Sequence, residues 1–350
     1  MLVQGLPAIR RLHRQAVSQN VPLYVLFELT HRCNHRCHHC YVSPQGDGEL
    51  TLGQVCRVLD QLAEEGCLYL VLTGGEVFLR ADLFDIMAYA RKRDFAVRLF
   101  TNGTLITPEI ADRLQGLGPL EVAISLHGAR PETHDLVTGI PGSFQRAVAA
   151  LGLLRERGLF TRIKCNLMAE NIDEFDQIRA LARDLGVQAQ FDPKIMPRVD
   201  GSLGPTRHQC PEEPLVDIWA QDTKYTAEVQ SWWASTEELL RRPLCLAGRD
   251  SLAITPQGIV KPCLMLPMPC GDLRQQPLRE IWRGSPVLDQ LRGMTFADLP
   301  LCHQCELAWY CTRCPALSLQ EGQGLIGCPS LDRRLAQTRA KAVEKGVAHG

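Results

Sequence analysis

Fifteen cysteines among 350 residues constrain this chain more than any other feature, because most of them fall into two dense groups. A disulfide framework fits poorly. Such frameworks belong to short secreted domains, and an odd count cannot pair completely within one chain. Nothing at the start directs export, since Met1 to Asn20 carries Arg10, Arg11 and Arg14 without an apolar signal core. Dense cysteines in a reducing cytoplasm point instead to metal or cluster ligation, and a cytoplasmic protein is expected.

Composition narrows the function further. Lys+Arg 38 against Asp+Glu 39 gives a formal net charge of -1. No basic patch stands out, so a nucleic-acid partner is not expected. No segment stays apolar for the roughly 18 residues of a membrane helix, so no membrane partner is expected either. Hydrophobic residues at 45% and charged residues at 22% describe a globular chain, large enough for one big domain or two ordinary ones.

From Val21 onward, short apolar runs alternate with helical patterns. The expected strands are Pro22 to Glu28, Leu68 to Thr73, Ala96 to Thr101, Leu120 to Ser125, Thr161 to Leu167 and Val187 to Phe191. Apolar residues at helical spacing fill Leu52 to Glu65, Leu83 to Arg93, Pro108 to Leu117, Phe144 to Arg157 and Ile172 to Leu185. Strand then helix, repeated six times, reads as an α/β fold with a parallel sheet, either open or barrel-like. Asp192 to Pro214 is rich in Pro and Gly and reads as a linker or lid, and Asp217 to Arg242 reads as helical. Cys245 to Cys328 has too few apolar runs for an ordinary core and needs covalent or metal staples. A closing helix from Leu331 to Glu344 is polar enough to lie on the surface.

The first cysteine group is Cys33-x3-Cys37-x2-Cys40, directly after the first strand. Three thiolates this close can hold three irons of a 4Fe-4S cube and leave the fourth iron open for reaction. A zinc site is the alternative, and it would draw its fourth ligand from His31, His35, His38 or His39. The second group contains Cys302-x2-Cys305-x5-Cys311-x2-Cys314, flanked by Cys245, Cys263 and Cys328. It is also a strong metal pattern, since zinc ribbons share such spacing.

The first group, with the aromatic His39 just before Cys40, resembles the signature of the radical S-adenosylmethionine (SAM) enzymes. Thr73-Gly74-Gly75-Glu76 is similar to that family's GGE motif. The likeness continues through Phe100-Thr101-Asn102-Gly103, Ser125-Leu126-His127-Gly128 and Gly142-Ser143-Phe144. Gly258-x4-Cys263 and the later cysteines resemble the SPASM extension, which carries auxiliary iron-sulfur clusters.

The resemblance implies a partial (β/α)6 TIM-like barrel followed by a small, irregular, cysteine-rich α+β domain. Its divisions would be 1–20 as an N-terminal extension, 21–195 as the radical SAM core, 196–244 as a linker, 245–330 as the SPASM-like domain and 331–350 as a closing helix. It implies three 4Fe-4S clusters. Cys33, Cys37 and Cys40 would bind the one that chelates SAM. Cys302, Cys305, Cys311 and Cys328 would hold an outer auxiliary cluster, and Cys245, Cys263 and Cys314 an inner one. The inner set is short of a fourth cysteine, which leaves an open iron unless Cys270 completes it.

SAM contacts are expected from Thr73, Gly74, Gly75, Glu76, Asn102 and Ser125. Glu76 would accept from the ammonium of SAM, and the glycines would let backbone approach the ligand. Cys56 and Cys67 read as small core residues, and Cys210 as a linker thiol.

The implied activity is reductive cleavage of SAM to a 5′-deoxyadenosyl radical that abstracts hydrogen from substrate. The expected substrate is a peptide, matured by a thioether or carbon-carbon cross-link. An alternative is oxidation or side-chain removal on a small molecule in haem or tetrapyrrole biosynthesis, and another is a non-catalytic iron-sulfur or zinc scaffold. An electron donor such as flavodoxin or ferredoxin is implied. Only about twenty residues precede the first strand, so a separate leader-peptide-binding protein would supply leader recognition.

Overall fold

The computed structural model describes residues 7–43, 48–222 and 235–348. Its six parallel strands form where the apolar runs lie. They are β1 (Tyr24–Thr30), β2 (Tyr69–Gly74), β3 (Ala96–Thr101), β4 (Glu121–Ser125), β5 (Thr161–Asn166) and β6 (Gln188–Asp192). Seven helices precede or separate them: α1 (Pro7–Gln19), α2 (Leu52–Glu64), α3 (Leu83–Lys92), α4 (Pro108–Leu117), α5 (Pro131–Thr138), α6 (Ser143–Glu156) and α7 (Phe175–Asp184). The strands pair in chain order from β1 to β6, giving an open, partial barrel.

Alternation within each strand decides which face is which. Val25, Phe27 and Leu29 of β1 are buried against the helical layer with Val55, Leu59 and Leu62 of α2. Tyr24, Leu26 and Glu28 take the opposite face, and strand register aligns Glu28 with Thr73, Ala123 with Arg162 and Ser125 with Lys164. Polar residues therefore line the inner face while the apolar set seals the outer one.

The sheet does not stop at β1. The chain past Cys245 adds β7 (Ser251–Ile254) parallel to β1, then β8 (Ile259–Lys261) and β9 (Gly271–Asp272) antiparallel beyond it. This corrects the expectation that the whole cysteine-rich region depends on covalent or metal staples. Leu252, Ile254, Val260, Leu278, Ile281, Trp282 and Leu288 belong to the same core as the barrel helices. Later parts of that region rest on smaller clusters, one around Leu244, Phe296 and Leu299 and another around Leu266, Leu291 and Ala316.

Two further expectations change. The helix read over Asp217 to Arg242 appears as Glu212–Gln221 and Thr236–Arg241, and Trp232 and Trp233 lie outside the described residues. The closing helix, Ser330–Ala348, is not a surface element: Leu331, Leu335, Ala336, Ala342 and Val343 are buried, and it packs along Glu212–Gln221. Lys341 pairs with Glu212 at 2.6 Å and Lys345 with Asp217 at 2.6 Å.

Trp282 ties these parts together. It is wholly buried, its indole N–H donates to the Asn20 carbonyl at 2.6 Å, and the Arg292 guanidinium lies 4.4 Å from its ring centroid. Changing Trp282 to Ala removes a large buried ring and orphans the Asn20 carbonyl, and should cost about 3–5 kcal/mol of stability. Urea unfolding of the variant beside wild type measures this, with the midpoint shifted down.

Candidate active site and cysteine centres

The cysteine loop hangs from the carboxyl end of β1 and is pinned from three sides. Gly75 N–H donates to the Thr30 carbonyl at 2.7 Å, and Glu76 N–H to the Arg32 carbonyl at 2.8 Å. Asn102, after β3, donates from Nδ2 to Asn34 Oδ1 at 2.7 Å, and Asn34 donates to Thr104 Oγ1 at 3.0 Å. From α5, the carbonyls of Thr138 and Val137 accept from the Arg36 and His38 amides at 2.9 and 3.0 Å. Cys33 is exposed, while Cys37 and Cys40 are half-buried.

The three thiols stand close enough to act on one another. Burial raises the pKa of each, and the charges of Cys33 and Cys40 push Cys37 further up. The His35 amide already points at Cys33 Sγ at 3.4 Å, an N–H···S contact of the kind that steadies a metal-bound thiolate. Among the described residues, no three Cys, His, Asp or Glu side chains converge on the volume of a single ion. The donor set, three thiols with an amide directed at one sulfur, suits a cluster.

Gly74 and Gly75 have a reason different from the expected ligand approach. A Cβ on Gly74 would lie 2.2 Å from the Thr30 carbonyl oxygen, and one on Gly75 would lie 2.2 Å from that of Arg32. What comes close is the backbone of the cysteine loop itself. Glu76 is wholly buried. Its carboxylate accepts from Thr101 Oγ1 at 2.7 Å, from the Asn102 amide at 2.8 Å and from the Phe78 amide at 3.2 Å. The expected ammonium acceptor is thus also a strut from β2 to β3, and burial raises its pKa.

Thr73 closes β2 with little exposure, and Ser125 closes β4 half-buried, in register with Lys164. Lys164 lies with its ammonium 3.8 Å from the Phe100 ring centroid; burial lowers its pKa and Asp192 opposes that shift. Below it, the inner face carries a charged floor. Glu121 takes Arg98 at 2.8 Å on one oxygen and Arg162 at 2.6 Å on the other. Two guanidiniums against one carboxylate, with Lys164 above, leave this floor with a net positive charge, while buried Glu28 and Glu76 lie nearer the cysteine loop.

Sequence reading missed Arg98, Glu121 and Arg162. The signal was present as charges two residues apart within apolar strands, such as Arg162 and Lys164. It also missed the imidazole cluster beside the loop. His39 and His127 meet edge to face at 4.4 Å, and His127 lies over His134 at 6.1 Å. Burial keeps them neutral, lowering His39 and His134 to about 4. Among the described residues, His39 Nδ1, His35 Nε2 and His134 Nε2 are buried without a hydrogen-bond partner.

The later cysteines fall into two neighbourhoods. Burial, with Cys245 and Cys314 nearby, pushes the Cys263 thiol up to about 12. In the other, Cys302 feels Cys305 and Cys328, and Cys311, at about 12 through burial and Asp332, also feels Cys302. Cys270 stands apart, its thiol beside the Ser285 hydroxyl and Arg292, and burial raises it to about 11. Cys67, Cys165 and Cys210 are buried in the main core and Cys56 is half-buried, so the linker thiol Cys210 is a core residue.

Asp332 joins the two regions. It pairs with Lys194, just past β6, and its other oxygen accepts from the Cys314 amide at 2.6 Å. Arginines brace the loops between cysteines: Arg313 Nε donates to the Gly327 carbonyl at 2.8 Å, and Arg339 Nη1 to that of Tyr310 at 3.1 Å.

Comparison with known proteins gives the following. The sequence profile of the Radical SAM superfamily matches residues 27–182, and that of SPASM, an iron-sulfur cluster-binding domain, matches 245–306. The chain is 30% identical to an AdoMet-dependent heme synthase of Methanosarcina barkeri, over 85% of this chain and 92% of that protein. It is also 30% identical to the antilisterial bacteriocin subtilosin biosynthesis protein AlbA of Bacillus subtilis, over 84% of this chain and 67% of that one. In fold it resembles the crystal structure of Streptococcus suis SuiB bound to S-adenosylmethionine. That match has a TM-score of 0.72 and 15% identity, over 95% of this chain and 84% of SuiB.

The contact at Gly75 is testable against a helix glycine. Gly75→Ala forces a methyl into the Arg32 carbonyl, and should lower stability by about 1–3 kcal/mol. Gly116→Ala, in α4 with nothing within 4 Å of its Cβ position, should be neutral or gain about 0.5–1 kcal/mol. Chemical denaturation of both variants reads the contrast.

Proposed function

The chain belongs to the radical SAM superfamily and carries a SPASM domain, and from that membership we propose that it matures a peptide by a thioether or carbon-carbon cross-link. The family's cofactors are 4Fe-4S clusters and SAM. In this reading Cys33, Cys37 and Cys40 hold the cluster that SAM meets. That cluster, when bound, supplies the electron that opens the sulfonium and yields a 5′-deoxyadenosyl radical. Cys302, Cys305, Cys311 and Cys328 hold one auxiliary cluster, and Cys245, Cys263 and Cys314 the other.

The chain's own residues orient the substrate and cofactor. The Lys164 ammonium, desolvated and above a cationic floor, complements the carboxylate of SAM, with Ser125 beside it in register. Asn102 fixes the loop while its Oδ1 receives Thr104. Thr73 and the Gly74–Gly75 backbone form the wall next to the methionine end. The neutral imidazoles of His39, His127 and His134 exclude water without adding charge.

One observation carries the peptide reading. The sheet is covered past β1 by β7, β8 and β9, but no described strand pairs beyond β6, where Gln188, Gln190 and Asp192 are exposed. An open strand edge beside the barrel interior suits an extended peptide, whose main chain can pair along it. AlbA, named for bacteriocin biosynthesis, agrees with this reading. A second reading, side-chain oxidation of a haem-precursor porphyrin, is favoured by the fuller match to the heme synthase and by the positive Arg98–Glu121–Arg162 floor, which suits propionates.

Two experiments test the proposal. Anaerobic reconstitution should give about twelve irons and twelve sulfides per chain, and Cys33→Ala/Cys37→Ala/Cys40→Ala should remove about a third of each and abolish 5′-deoxyadenosine formation under dithionite. Undiminished 5′-deoxyadenosine from the triple variant contradicts the assignment. Incubation with SAM and either a cysteine-rich or aromatic-rich precursor peptide encoded beside the gene, or a propionate-bearing iron porphyrin, separates the two substrate readings by mass spectrometry. Loss of two hydrogens from the peptide is expected, and turnover of the porphyrin alone would replace the peptide reading with the second.

A further inference from the structure

Helix α1 is basic on a chain that is otherwise balanced. It carries Arg10, Arg11, His13 and Arg14 with no acidic residue, against a net charge of -1 for the whole. Arg10, Arg11 and Arg14 are exposed, and among the described residues none of them has an ion-pair partner. Two acids beside this face have basic partners. Asp250 is buried and paired with His13 at 3.1 Å, and buried Glu65 faces Arg283 at 3.4 Å and Arg279 at 3.8 Å. Arg283 also donates to the Gln19 carbonyl at 3.4 Å, so the basic surface continues past the end of α1.

This face abuts the first cysteine of the inner set. A cavity of about 410 Å³ lies between α1 and the turn after Cys245, lined by His13, Arg14, Val17, Leu246 and Arg249. Leu246 is the next residue after Cys245, and the charge of Arg249 reaches the Cys245 thiol. Two leucines stand out of this basic surround, Leu12 at 38% and Leu246 at 44% exposure. Exposed Leu246 in a cavity edged by His13, Arg14 and Arg249, beside the unpaired arginines of α1, is the pattern of a small, charge-steered interface.

We propose that the α1 face is the docking site of a small acidic one-electron carrier protein of the flavodoxin or ferredoxin class, delivering its electron at the Cys245 turn. This rests on the reading that Cys245, Cys263 and Cys314 hold an auxiliary cluster. In the transfer the reduced carrier would lose one electron to the inner cluster, which would pass it to the cluster of Cys33, Cys37 and Cys40 and return to its oxidised state, and no proton or group moves. The arginines serve association, since opposite charge raises the encounter rate and is screened by salt. They take no part in the radical chemistry.

The test uses reconstituted holoenzyme and a bacterial flavodoxin. Binding of oxidised flavodoxin is measured across a salt series for wild type, for Arg10→Glu/Arg11→Glu/Arg14→Glu, and for a control, Arg179→Glu/Arg183→Glu, on exposed α7. The α1 reversal should weaken binding by about tenfold or more and flatten its salt dependence, while the control binds as wild type does. Flavodoxin-driven SAM cleavage should slow by a similar factor, and dithionite-driven cleavage should not change. Should the reversal disturb the helix by circular dichroism, Arg10→Gln/Arg11→Gln/Arg14→Gln decides, with the same direction and a smaller size. Wild-type affinity in the neutral and reversed variants overturns the proposal. Absence of 5′-deoxyadenosine from wild type under dithionite would instead fail the proposed activity, leaving the binding series to judge the docking face.

Discussion

Two backbone hydrogen bonds, from Gly75 to Thr30 and from Glu76 to Arg32, suspend the three-cysteine loop from the sheet. They form only because neither Gly74 nor Gly75 has a side chain, since a Cβ at either position would overlap a carbonyl oxygen of the loop. Glu76 then carries the constraint onward. Its buried carboxylate receives donors from Thr101 and Asn102 at the end of β3 and from Phe78 just after Glu76 itself, and through Asn102 reaches Asn34, one residue past Cys33. The cysteines are therefore placed by a chain of short polar contacts across β1, β2 and β3, and their spacing in sequence is only part of what positions them.

The interior above the sheet depends on that frame but has its own electrostatics. A buried carboxylate between two arginines gives little net stability, because desolvation offsets most of the attraction. What the Arg98–Glu121–Arg162 group does provide is a fixed positive floor, with Lys164 over Phe100 as the only described ammonium in its layer of β5. An anionic group entering the mouth meets cations already desolvated and held in place, so little reorganisation opposes its binding. The imidazoles around it stay neutral and add no charge of their own to that floor.

The barrel was legible because its strands are buried on the helical side and read as continuous apolar runs. Ala96–Thr101 and Pro108–Leu117 appear with the expected boundaries, and the other five strands within two residues. Strands β7 to β9 were not legible, since four-, three- and two-residue strands leave no periodicity to read, and β1, the partner of β7, lies some 220 residues earlier. Helix α5 was missed although it has Pro131 in its first turn and the left-handed Gly139 at its end, an asymmetry that marks helices even when they are eight residues long. The closing helix was misjudged because charged residues such as Arg333, Arg334, Lys341, Glu344 and Lys345 outnumber its narrow buried stripe of Leu331, Leu335, Ala336, Ala342 and Val343. At the site, residue types were readable and partners were not: nothing in Thr-Gly-Gly-Glu says that the glutamate turns inward to β3.

In the proposed function the loop of Cys33, Cys37 and Cys40 leaves one iron open, and SAM binds it through its amino and carboxylate groups. Electron-nuclear double resonance on the reduced holoenzyme, with SAM labelled by nitrogen-15 at the amino group and oxygen-17 at the carboxylate, reads this directly. Hyperfine coupling from both labels to a cluster signal that disappears when the three cysteines are replaced is the expected result. Labelled SAM that leaves the spectrum unchanged, with all clusters present, would contradict it.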